Sequence, residues 1–290
     1  MIAFAANSLL CRLALKRTAI DPITFTSIRI ISGAIALWLI LKSRGGITRS
    51  SGSWLSALAL FVYAAAFSLA YINLPAGTGA LLLFAAVQAT MISWGFRKGE
   101  RLHIRQCIGL VLASAGLLLL LSPGISTPPL GGAGLMLSAG VAWGIYSLRG
   151  KMITDPASAT CGNFLRAIPL AVFFSIALQV WIRFDRAGAA YAMVSGAITS
   201  GLGYVIWYAV LPQLKATSAA TVQLSVPVLT AIGGILFLSE PVTLGFFISA
   251  IAVLGGIALV VLPKVAPVGA PRQELSPSRL DAPRRFWRGG

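Results

Sequence analysis

Residues 243–262 read TLGFFISAIAVLGGIALVVL, twenty positions without a charged, amide or imidazole side chain. At about 1.5 Å of rise per residue, such a helix is about 30 Å long, the thickness of a bilayer's hydrocarbon core. Nine more runs of the same character precede it, over 2–20, 23–41, 54–73, 76–96, 104–121, 131–149, 163–182, 188–210 and 216–238. The connections are short and carry helix breakers: Asp21-Pro22, Gly45-Gly46, Leu74-Pro75, Ser122-Pro123, Asp155-Pro156, Pro212 and Pro241. The expected fold is all-α, a polytopic membrane protein of ten transmembrane helices in a lipid bilayer. The first run starts at Met1 without a polar leader and carries Arg12 and Lys16, which points to residues missing upstream.

Composition agrees. Charged residues are 10% of the chain and hydrophobic ones 57%, with a mean hydropathy of +0.87. A soluble domain keeps about a quarter of its residues charged. The net charge of +16 would suit a nucleic-acid binder, but its placement argues against nucleic acid as a partner. Lys42, Arg44, Arg49, Arg97, Lys98, Arg101, Arg105, Arg149, Lys151, Lys215 and Lys264 all fall on one side of the alternating spans, whereas Lys16, Arg17, Arg183 and Arg186 fall on the other. The positive-inside rule then puts both termini in the cytoplasm of a cell whose inner membrane holds the protein. Residues 264–290 are rich in proline and arginine and are expected to form a disordered basic cytoplasmic tail.

The two halves resemble each other. Arg12 and Arg149 lie 137 positions apart, as do Arg29 and Arg166, and in each half the two arginines, 17 apart, enclose an Asp-Pro: Asp21-Pro22 between Arg12 and Arg29, Asp155-Pro156 between Arg149 and Arg166. At an offset of 140, Thr90 pairs with Thr230, Glu100 with Glu240, Gly116 with Gly256 and Pro123 with Pro263. Repeats over 1–122 and 131–263 with five helices each must enter the membrane in opposite senses. Inverted repeats of this kind recur in secondary transporters.

The segments from Ala6-Asn7-Ser8 to Arg12, Ser27-Ile28-Arg29, Gly77-Thr78-Gly79-Ala80, Thr217-Ser218-Ala219-Ala220, Glu100 and Leu238-Ser239-Glu240-Pro241 resemble the drug/metabolite transporter superfamily. The resemblance is to its EamA exporters, and within them to the YddG-type exporters of aromatic and neutral amino acids. It implies a cavity lined by helices one, three, four, six, eight and nine. The chain departs from that pattern at Val87-Gln88, where many relatives have a proline like Pro227 of the second half.

Polar and aromatic residues within these spans are the candidate substrate contacts: Asn7, Ser8, Tyr63, Tyr71, Gln88, Trp143, Tyr146, Tyr204, Trp207, Tyr208 and Gln223. Amides and phenols can bond the ends of a zwitterion while aromatic faces pack its side chain. The same residue types also mark membrane interfaces and join helices. Tyr204, Trp207 and Tyr208, spaced i, i+3 and i+4, share a face. Pro227 is a candidate hinge. Arg12, Arg29, Arg149 and Arg166 can anchor helices or clamp a carboxylate. Glu100 and Glu240 are expected to cap the fifth and tenth helices.

Every carboxylate lies at a span end, in a loop or in the tail, and His103 lies in a loop, which favours a facilitator or exchanger over a proton antiporter. Cys11, Cys107 and Cys161 suggest neither a disulfide framework nor a metal site. Gly201-x-Gly203 lacks the strand-turn-helix setting of a dinucleotide site, so no cofactor is expected. A membrane-embedded enzyme would need acid, His or Cys side chains gathered at one depth, and no catalytic residue is assigned. The expected activity is export of a small metabolite by alternating access. A proton-coupled exporter of other metabolites or drugs, and a channel, are the competing readings.

Overall fold

The computed structural model describes residues 1–43, 52–97, 103–121, 128–150, 153, 155–177, 183–213, 223, 225–241 and 243–261. Glu100 and the tail expected over 264–290 lie outside these. The described residues form ten long helices, a 3-10 turn over Leu211–Gln213 after the eighth, and no strand. The helices are α1 Ile2–Arg17, α2 Pro22–Ser43, α3 Trp54–Ala70, α4 Ala76–Arg97, α5 Ile104–Leu121, α6 Leu130–Gly150, α7 Pro156–Ala177, α8 Arg186–Val210, α9 Ser225–Leu238 and α10 Leu244–Val261. Within α8, Ser195–Leu202 is π-helical.

The two Asp-Pro pairs start helices rather than separating them. Asp21 Oδ1 accepts from the N–H groups of Ile23 and Thr24, and Asp155 Oδ1 accepts from Ser158 N. The prolines take the first helical position, where the missing N–H is no loss. One turn on, the hydroxyls of Thr26 and Thr160 donate back to the carbonyls of Pro22 and Pro156. The duplicated pattern moves the start of α7 from the expected residue 163 to Pro156. Ser53 and Asp185 cap α3 and α8 in the same way, accepting from Ser56 N and Gly188 N.

Helix pairing carries the same two-fold relation. The helix α5 packs along α10, and α2 along α7. The helix α3 lies on α6 as α8 lies on α1, α4 lies on α6 as α9 lies on α1, and α2 meets α8 as α7 meets α3. Replacing each helix by the one five places away returns these pairings. Each half crosses an odd number of times, so the halves are inverted repeats related by an axis in the membrane plane.

The bundle is apolar outside. Ile31, Ile35 and Leu39 of α2, Val111 and Leu118 of α5, and Leu236 and Phe237 of α9 are exposed, while Arg29, Asn7, Gln88 and Asn163 are buried. This inverts the pattern of a water-soluble protein and suits hydrocarbon as the outer solvent. Among the described residues, five helices are long and apolar enough to span a membrane by themselves, and α3, α5, α9 and α10 are shorter apolar helices.

In lipid, helices gain by close backbone approach at small residues. A Cβ added to Gly109 would lie 2.5 Å from the carbonyl oxygen of Gly256, and one added to Gly256 would lie 2.5 Å from that of Gly109. This reciprocal fit sets the α5–α10 crossing. Between α2 and α8, a Cβ on Gly196 would collide with the carbonyl oxygen of Arg29, whereas Gly134 has open space around it. Gly196→Ala should therefore destabilise the detergent-purified protein by about 1–3 kcal/mol, read as a lower thermal midpoint. Gly134→Ala should leave that midpoint unchanged, and equal midpoints for the two variants would refute this account of the crossing.

Candidate functional site

The α2–α8 crossing positions the most deeply buried charge of the described chain. With Gly33 and Gly196 letting the backbones touch, Arg29 of α2 reaches the π-helical stretch of α8. Its Nε donates to Ser200 Oγ at 3.0 Å, and its Nη2 donates to the hydroxyls of Tyr63 and Tyr204, both at 3.2 Å. The guanidinium also lies over the rings of Tyr63 and Phe67, 5.2 and 5.1 Å from their centroids. It is 1% exposed. The extra residue per turn of a π-helix turns Ser195, Thr199 and Ser200 inward together, and all three are buried.

The helix α1 completes this polar layer. Asn7 Nδ2 donates to the Tyr63 hydroxyl at 3.2 Å, while its Oδ1 accepts from Ser195 and Thr199 at 2.7 and 3.2 Å.

Against this layer stands an aromatic cluster from both halves. The Trp143 ring lies 5.0 Å from Tyr63, 4.7 Å from Tyr204, 5.6 Å from Phe4 and 5.7 Å from Tyr146. Tyr146 continues to Tyr208 at 5.8 Å, and Phe4 to Trp207 at 6.0 Å. The rings fill the midplane in this conformation. Beside them is a small cavity bordered by Ser8, Phe67 and Trp143, with room for about one water molecule.

Each end of the bundle is tied separately. At the end that holds the α3–α4 and α9–α10 connections, Arg12 Nε pairs with Glu240 Oε1 at 3.0 Å, and Arg12 Nη1 donates to the carbonyls of Tyr71 and Ile72, both at 2.8 Å. Glu240 Oε2 accepts from Ala76 N at 2.7 Å, and Lys16 Nζ donates to the carbonyl of Leu238. Glu240 thus caps α4, not the helix that follows it. Thr243 caps α10, accepting from Phe246 N. At the opposite end the ties are neutral on one side: Arg149 Nε donates to Ser56 Oγ, Ser53 N donates to Asn163 Oδ1, and Asn163 Nδ2 donates to the Tyr146 hydroxyl.

The chain matches the EamA-like transporter family over residues 1–122 and 130–262, one match per repeat. It belongs to that family. It is 54% identical over 266 residues to an uncharacterised protein of Pseudomonas aeruginosa, PA1977, covering 91% of this chain and 93% of that one. It is 27% identical to a probable amino-acid metabolite efflux pump of Escherichia coli K12, over 64% of this chain and 67% of that one. A solved crystal structure, 18% identical, superposes with a TM-score of 0.63 over 89% of this chain and 95% of that one. The protein is a membrane transporter of small molecules.

Of the residues expected to line an EamA pathway, Asn7, Tyr63, Trp143, Tyr146, Tyr204, Trp207 and Tyr208 meet in the central cluster, all buried. Ser8 borders its cavity. Tyr71 sits towards the Arg12 end, its ring 4.7 Å from Phe67 and its hydroxyl donating to the carbonyl of Ala76. Gln88 is buried in α4, its amide nitrogen unpartnered among the described residues. Gln223 is buried just before α9, and Pro227 is buried in the first described turn of that helix. Sequence reading left out the partners of Arg29 and Asn7, namely Ser195, Thr199 and Ser200. The repeated Arg29/Arg166 spacing was the available signal for the arginine, but no pattern announced the π-helical stretch.

The Arg12–Glu240 pair is nearly buried, with side chains 12% and 8% exposed. Removing one partner of a buried pair strands the other, at about 3–5 kcal/mol. Glu240→Gln should lower the thermal midpoint accordingly, and adding Arg12→Gln should restore part of the loss. Additive losses in that double-mutant cycle would show that the pair is not coupled.

Proposed function

We propose that the protein exports small metabolites, aromatic and other neutral amino acids above all, by alternating access between its inverted repeats, as a facilitator or exchanger without proton coupling. The observation that carries this reading is the central cluster itself. Side chains of both repeats build it, and a separate bonded layer closes it off at each end. Phenol, amide and hydroxyl groups there can bond the ends of a zwitterion, and the rings can pack an apolar side chain. The cluster contains no carboxylate or imidazole to carry a proton. The name of the Escherichia coli relative and the resemblance to YddG-type exporters support amino acids as the solute class.

On this reading Tyr63, Trp143, Tyr146, Tyr204, Trp207 and Tyr208 part to admit the solute. Asn7, Ser8, Tyr71, Gln88 and Gln223 meet it along the path. Pro227 is the hinge of α9. On this reading the Arg12–Glu240 tie faces the outer side of a cell's inner membrane and the Arg149 end, with both termini, faces the cytoplasm, which the arginine and lysine distribution supports.

Purified protein in liposomes tests the proposal. Phenylalanine uptake should saturate, accelerate when unlabelled phenylalanine is trapped inside, and proceed at the same rate with and without a pH gradient. Linear flux without counterflow would indicate a channel, and uptake that requires the gradient would indicate proton coupling. Tyr204→Ala should slow counterflow by roughly tenfold, the worth of about one ring contact, and Pro227→Ala should slow it as well.

A further inference from the structure

We propose that Arg29 is the carboxylate anchor of the central site, so that the site selects its solute by a carboxylate and does not require an ammonium group. This rests on the carrier reading above and names the chemistry that decides what the carrier accepts.

Five N–H bonds radiate from a guanidinium. In Arg29 the one on Nε meets Ser200, and those on Nη2 meet Tyr63 and Tyr204. Nη1 is buried with no hydrogen-bond partner among the described residues. The groups that face the arginine come from three helices besides its own: Asn7 (through Tyr63) and Cys11 from α1, Tyr63 and Phe67 from α3, Ser200 and Tyr204 from α8. No carboxylate is among them. The ion pair of the described chain, Arg12–Glu240, lies one layer away at the end of the bundle.

Hydroxyls and ring faces orient a guanidinium, but they leave its full positive charge uncompensated in a medium of low dielectric. An anion removes that penalty. A carboxylate fits best, because its two oxygens match the planar fork that one N–H of Nη1 and one of Nη2 make once Nη2 gives up a tyrosine hydroxyl. Nη1 offers two donors to it. The hydroxyls of Tyr63 and Tyr204 both accept from the neighbouring Nη2.

The surroundings also define what the rest of the solute needs. Phe4, Tyr63, Trp143 and Tyr204 supply aromatic surface next to the arginine. An ammonium group would find hydroxyl oxygens and ring faces, yet no acidic partner. Loss of the carboxylate therefore removes the one charge-to-charge contact of the site. Loss of the ammonium group removes only neutral contacts. The accepted class is small monocarboxylates with an apolar or aromatic side chain, amino acids included.

Calorimetric titration of the full chain in lipid nanodiscs, with phenylalanine, 3-phenylpropionate and 2-phenylethylamine as probes, tests this without substitution. Phenylalanine and 3-phenylpropionate should bind with dissociation constants within about tenfold of each other, and 2-phenylethylamine should bind at least roughly thirtyfold more weakly. In Arg29→Gln, phenylalanine affinity should fall by a similar factor. If 2-phenylethylamine binds as well as phenylalanine, or 3-phenylpropionate fails to bind, the anchor is refuted while counterflow, if observed, still upholds the carrier. Carboxylate-dependent binding without counterflow would uphold the anchor and refute the carrier, and no binding by any probe would refute the anchor.

Discussion

A guanidinium held in the middle of a bundle whose outer solvent is lipid must find its solvation inside the protein, and much of the central architecture answers that requirement. Arg29 cannot reach water, and it cannot shed its charge, because arginine stays protonated in proteins. Snorkelling is closed to it as well: its neighbours hold it with three hydrogen bonds and two ring faces. Two of them, Ser200 and Tyr204, are within reach because α2 and α8 approach to backbone contact at Gly33 and Gly196. The π-helical turn that follows brings Ser200 within reach and at the same time points Ser195 and Thr199 at Asn7. One buried charge thus organises four helices from both repeats.

The fold was legible because its causes are local or periodic. Ten apolar runs separated by breakers can only be spans, and an odd number of helices per repeat dictates inversion. The error at α7 has a local cause too. Asp155-Pro156 was read as a break because proline disrupts a helix interior, yet at the first helical position it is compatible with one, and Asp155 supplies the cap. The polar residues that follow, Ser158, Thr160 and Asn163, are buried rather than looped out. In a membrane bundle a polar segment can belong to a helix provided its face turns inward.

The central site was only partly legible. Its aromatic and amide members were named from residue type and position within spans, which is why Tyr63, Trp143 and Tyr204 were found. What sequence could not give was the partner of each polar group. The role of Glu240 depended on which helix it meets in space: it lies close before α10 in the chain, but it bonds the first turn of α4 and Arg12 of α1, 228 positions away. Ser195, Thr199 and Ser200 resemble the small hydroxyl residues that line many helix contacts, and a local change of helical pitch, invisible to a 3.6-residue pattern, gathers them onto one face.

The two repeats share a frame but not a charge distribution, and this difference bears on how a carrier of this design could move. Arg29 belongs to the first repeat, whereas Ser200 and Tyr204 belong to the second. Any rocking of one repeat against the other must break those bonds and make new ones. A carboxylate partner from the second repeat would pin the arginine in one position, since separating the pair in a low dielectric is strongly opposed. Hydroxyls hold it more weakly and can rotate to follow it. The ends of the bundle divide the task in the other direction. There the Arg12–Glu240 pair can be strong, because when that end opens, water enters and solvates both charges as they part. In the proposed alternating-access cycle, a strong tie at the Arg12 end and neutral, adjustable ties around Arg29 let the site close firmly and still change sides.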